Sequence, residues 1–75
     1  MIEPAPNPMK SAVAVNIEVL AEILSQAAAR AKLAVQAIED DKQNLAMGTI
    51  LDFDQTLPAA LSLYNAALLL HRAGL

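Results

Sequence analysis

"VAVNIEVLAEILSQAAARAKLAVQAIE", running from Val13 to Glu39, decides the fold by the way its apolar residues repeat. Val13, Ile17, Leu20, Leu24, Ala27, Ala31, Ala34 and Ile38 follow one another at spacings of four and three. That is the pattern of a long helix burying one stripe against another helix. The opposite line, Glu18, Glu22, Ser25, Ala29, Lys32, Gln36 and Glu39, is mostly polar and belongs to solvent. The middle of the stripe is alanine at Ala27, Ala31 and Ala34, which allows a partner helix to approach closely.

Composition extends the helical reading to the whole chain. Sixteen Ala and twelve Leu supply most of the apolar content, while aromatics make up 3% of the 75 residues. Ala and Leu are the strongest apolar helix formers, so the expectation is an all-α fold. A single core of this size supplies only a few kcal/mol, and without Cys neither a disulfide nor a thiolate metal site can reinforce it. The remaining reinforcement is another copy of the chain.

Net charge is −3, and the basic residues Lys10, Arg30, Lys32, Lys42 and Arg72 are scattered. Such a field repels phosphate backbones, so nucleic acid is excluded as a partner. Met9-Lys10 followed by "SAVAV" resembles the start of a secretory signal, with "AAARA" as its cleavage region. Glu3, Glu18 and Glu22 oppose that pattern, and no stretch approaches the ~20 uncharged apolar residues of a membrane span. The expectation is a cytoplasmic protein without a membrane partner.

Outward from the first helix, prolines at 4, 6 and 8 mark residues 1–8 as an extended tail, leaving 9–75 as one helical domain. The helix opens with Asn7 as cap and Pro8 in its first position, or with Ser11 as cap. At the other end Asp40, followed by Gln43, resembles a capping box, which predicts a break and a short middle helix over "DKQNLAM". Gly48 suits the position just past its end.

The last segment, "LPAALSLYNAALLLHRAGL", carries a stripe at Leu57, Leu61, Tyr64, Leu68, His71 and Leu75 and a second at Leu63, Ala66, Ala67 and Leu70. The first is expected to pack on the long helix in a hairpin. Length adds to the apolar surplus: about 43 Å of first helix faces about 26 Å of last helix. Leu63, Ala66 and Leu70, together with Val13, Ile17, Leu20 and Leu24, are therefore the expected oligomer interface, in a homodimer that closes into a four-helix bundle.

Candidate chemistry centres on "ILDFDQTLP", Ile50 to Pro58. Asp52, Asp54, Thr56 and Leu57 resemble the first motif of the haloacid dehalogenase superfamily, in which an apolar strand delivers Asp-x-Asp-x-Thr to a phosphate-transfer site. The resemblance implies a metal-dependent phosphatase-like enzyme with Asp52 as nucleophile and Asp54 beside it. That family also requires a parallel sheet, a Lys and further acidic residues later in the chain, whereas the residues after Thr56 contain neither Lys nor acid and read as one helix. Capping accounts for the same residues: Thr56 as N-cap, Pro58 in the first turn, and two carboxylates near the positive end of the helix dipole.

No other catalytic, cofactor or metal site emerges. His71 is the only histidine and suits a helix carboxyl end. The acids Glu39, Asp40 and Asp41 lack the alternating oxygens and the Gly of a calcium loop, and no Ser has a base placed beside it. The functional expectation is a helical homo-oligomeric interaction module, an adaptor, regulator or chaperone-like subunit without catalytic activity, with an unidentified protein partner besides itself.

Overall fold

The computed structural model describes residues 8–73, which form three helices: α1 (Pro8–Glu39), α2 (Gln43–Thr49) and α3 (Phe53–Ala73). No strand occurs among the described residues, as the Ala- and Leu-rich composition requires. The tail expected over 1–8 lies outside the described residues except for Pro8, which opens α1 where a missing N–H breaks no helix bond. Helices α2 and α3 both pack on α1 and make no contact with each other. They form one broken return leg, antiparallel to α1, in which α2 covers the loop end that α3 does not reach. The length mismatch expected between two helices is thereby removed. The Cα trace measures 60 × 27 × 12 Å, so the fold is a single layer of helices.

The break after α1 is made by the backbone, not by the expected capping box. Asp41 sits at φ 60°, its N–H donates to the Ile38 carbonyl at 3.0 Å, and the Lys42 N–H donates to the Ala37 carbonyl at 2.7 Å. These two bonds are a Schellman ending, with Asp41 in the left-handed position usually taken by Gly. Helix α2 has Lys42 as its N-cap residue and no side-chain cap bond, so Asp40 does not play the cap role. Gly48 also departs from expectation: it lies inside α2, and Ile50 follows as the C-cap.

Six residues are buried among those described, and all are alanine: Ala27, Ala34 and Ala37 on α1, Ala46 on α2, and Ala60 and Ala67 on α3, exposed by 2% to 8%. No larger side chain is fully buried. Val13, Asn16, Leu20, Ile23 and Ala31 on α1, and Thr56, Leu63, Ala66 and Leu70 on α3, are half-buried. The α1 line that faces the return leg thus runs through Asn16, Ile23 and Ala37, not through Ile17, Leu24 and Ile38, which are exposed by about half. Asn16 is tolerated there because its Nδ2 donates to the Ala12 carbonyl at 2.9 Å, which keeps the amide partnered. At the loop end Ala34, Ala37 and Ala46 form one cluster, with Ile50 packed against it.

On α3 the two stripes largely exchange the roles expected of them, with Leu68 of the first stripe remaining half-buried. Leu57, Leu61 and Tyr64 are exposed, while Ala60, Leu63, Ala66, Ala67 and Leu70 are buried or half-buried. Because α3 touches no element but α1, these are the residues it turns toward α1. Side-chain size explains the exchange: the stripe with alanines allows the backbones close together, whereas Leu57, Leu61 and Tyr64 would hold them apart.

Ala34→Leu is therefore expected to cost about 1–3 kcal/mol through overpacking, whereas Ala29→Leu, on the exposed line, should stay within about 0.5 kcal/mol. Chemical denaturation of the two variants measures the difference. Asp41→Gly should raise stability by about 1 kcal/mol, since it relieves the left-handed backbone and removes a negative charge from the negative end of α1. A rise in the midpoint of thermal unfolding is the readout.

Candidate interaction surface

A single layer has two broad faces, and here they differ in chemistry. On one, Ala31, Ala34, Val35 and Ile38 of α1 meet Ala46, Met47, Ile50 and Phe53 in an apolar groove of about 330 Å³, with Glu39 at its rim. The α1 side of this groove continues along Ile17, Ala21, Leu24, Ala28, Ala31, Val35 and Ile38, again at spacings of four and three, which keeps them on one side of a helix. The return-leg side continues from Phe53 through Leu57, Leu61, Tyr64 and Leu68. Neither row contains a charged residue. Ile17, Leu24, Val35, Ile38, Met47, Leu57, Leu61 and Tyr64 are each exposed by 48% to 57% or, at Leu61, 58%, so large apolar side chains stand unpartnered along the whole face.

The other face is mixed. Gln26, Arg30, Gln55 and Thr56 line a shallow depression beside Ile23, Ala27 and Ala59, and nearer the loop Gln36, Asp40, Lys42 and Thr49 surround Leu33 and Leu45. Arg30 Nη1 lies 3.8 Å from Asp52 Oδ2, with both side chains well exposed. Such a pair contributes little to stability.

The expected interface residues divide across this geometry. Ile17 and Leu24 lie on the open apolar face, with Val13 and Leu20 half-buried at its inner edge. Leu63, Ala66 and Leu70 do not face outward as expected: they turn toward α1, and Leu57, Leu61 and Tyr64 take the outward place. The face also includes Val35, which lies one position beyond the expected α1 row, and Met47, Ile50 and Phe53, whose row is interrupted by the turns on either side of α2.

The Asp52/Asp54 motif is not carried by a strand. Ile50, Leu51 and Asp52 form a turn, and the Asp52 carbonyl accepts the N–H groups of Gln55 and Thr56, both at 2.9 Å. Asp52 therefore stands at the N-cap of α3, four residues before the expected cap, Thr56. Thr56 is half-buried inside the first turns, and Pro58 lies inside the helix. Asp54 is in the first turn, where a carboxylate is favoured by the helix dipole. No group of three His, Cys, Asp or Glu among the described residues is arranged to hold a metal ion. His71 and Arg72 occupy the last turn of α3, where cations are favoured.

By length and composition α1, over Lys10–Glu39, is apolar enough to cross a membrane, although Glu18 and Glu22 fall within it. No protein family, curated protein or solved structure matches the chain.

Asp52→Asn keeps a capping side chain and removes only an exposed ion pair, so it should change stability by no more than about 1 kcal/mol. Thermal unfolding tests this. A purified wild type with phosphatase activity that the variant lacks would establish the catalytic reading of Asp52.

Proposed function

We propose that this is a small helical interaction protein without catalytic activity, an adaptor, regulator or chaperone-like subunit, that works as a homodimer closed through its apolar face into a four-helix bundle. The observation that carries the reading is the uncharged face itself, where eight large apolar side chains remain about half exposed. Contiguous apolar surface of that kind marks an interaction site.

Surface area supports the same conclusion. The chain exposes 6015 Å², against about 4,400 Å² for a compact chain of its mass. Counting the residues outside the described range as fully exposed still leaves a surplus of several hundred Å², on the order of the ~800 Å² that one partner contributes to a standard interface. Two layers around one core is also the ordinary architecture of a stable domain, and a second copy supplies the missing layer. A membrane location for α1 is opposed by Glu18 and Glu22, since each charge in a bilayer interior costs several kcal/mol.

Leu61→Glu places a charge on the open face without touching the alanine seam, so it should convert the assembly to monomer, with loss of helical signal if the monomer is not stable alone. Leu69→Glu, exposed by 66% but off this face, should leave the assembly intact. Sedimentation at roughly tens of micromolar, where weak association begins to register, reads both. A wild type that sediments as a monomer there overturns the proposal.

A further inference from the structure

We propose that the two copies meet antiparallel, α1 on α1 and return leg on return leg, about a two-fold axis passing beside Ala28 and Leu57; this rests on the dimer reading above and adds its orientation and register. The first ground is that the α1 row is complementary to its own reversal. With Ala28 opposite itself, Leu24 meets Ala31 and Ala21 meets Val35 of the second copy, bulky against small at each level, with Ile17 and Ile38 closing the ends. Alternation of large and small across a helix interface is how two layers interdigitate.

The return leg has the same property about a different centre. Ile50, Phe53, Leu57, Leu61 and Tyr64 are spaced three, four, four and three, a symmetric arrangement about Leu57. Reversal sets Ile50 against Tyr64 and Phe53 against Leu61, and Met47 falls near Leu68. The two centres lie at one height along the layer, because Ala27 and Thr56, their immediate neighbours in sequence, line the same depression between α1 and α3. One axis therefore serves both legs, as an isologous two-fold contact requires.

Charge selects the same orientation. The loop end of the layer carries Glu39, Asp40 and Asp41 against the single Lys42, and the open end, among the described residues, carries Lys10, His71 and Arg72. Antiparallel stacking brings the acidic turn of each copy toward the basic end of the other, whereas a two-fold axis along the helices sets like charge beside like. That second arrangement would also lay α1 on the return leg of the other copy, with Ala28 over Leu57.

The absence of cysteine makes a single introduced thiol an unambiguous reporter. Ala28→Cys and Leu57→Cys, each confirmed to associate by sedimentation, should each form a disulfide dimer with itself under mild oxidation. A product that appears only when the two variants are mixed, or no product from an associated protein, overturns the orientation and leaves the dimer standing. A protein that does not associate overturns both readings. As a second measurement, Lys10→Glu with Arg72→Glu should weaken association several-fold, and adding Glu39→Lys, at the rim of the apolar groove, should restore part of it. Failure of that rescue counts against the antiparallel arrangement.

Discussion

The structure depends on how closely α1 and its return leg approach each other. Alanine at Ala27, Ala34, Ala37, Ala46, Ala60 and Ala67 brings the backbones near, and in a layer only one helix deep there is no space behind the seam for larger groups. Close approach replaces bulk with dispersion contacts between backbones and methyl groups. Its cost is a small core, since burying a methyl gives about 0.8 kcal/mol, where a whole Leu or Phe side chain gives ~1.5–3. The leucines, isoleucines and valines that a globular domain would hold inside are displaced to the faces, and stability passes to whatever covers them.

Much of this was legible in the sequence, and the rest was not for a definite reason. The helices, the break after Glu39 and the short middle helix follow from the four-three spacing and the turn residues. The choice of inward face does not, because α1 carries interleaved rows at the same period. The row through Val13, Ile17, Leu20, Leu24, Ala27, Ala31, Ala34 and Ile38 straddles two sides: Val13, Leu20, Ala27, Ala31 and Ala34 turn toward the return leg together with Asn16, Ile23 and Ala37, whereas Ile17, Leu24 and Ile38 stay exposed beside Ala21, Ala28 and Val35. Periodicity fixes that a stripe exists and leaves its direction free to tens of degrees. On α3 the spacing marks two stripes and does not say which of them turns inward. Side-chain size separates them, since the inward stripe holds Ala60, Ala66 and Ala67 beside Leu63 and Leu70, whereas the outward one carries Leu57, Leu61 and Tyr64 with no alanine between them.

The same distinction applies to the motif at Asp52. The order of Asp, Asp and Thr resembles a phosphate-transfer sequence, yet those residue types are also the ones that begin helices. What separates the readings is the element before the first Asp. Here Ile50 and Leu51 belong to a turn that closes α2, so the carboxylates stand at the head of α3 and one of them lies beside Arg30.

Because α2 is seven residues long and touches α1 alone, it is held mainly by Ala46, with Ile50 just past its end, against Ala34 and Ala37. A short helix with so few buried contacts is expected to open locally before the cooperative unfolding of the rest. Such an opening takes Ala46 and Met47 out of the lining of the apolar groove, while α1 and α3 stay paired along their own seam. Hydrogen exchange in this short helix is thus coupled to whatever fills the groove, and slows when it is occupied.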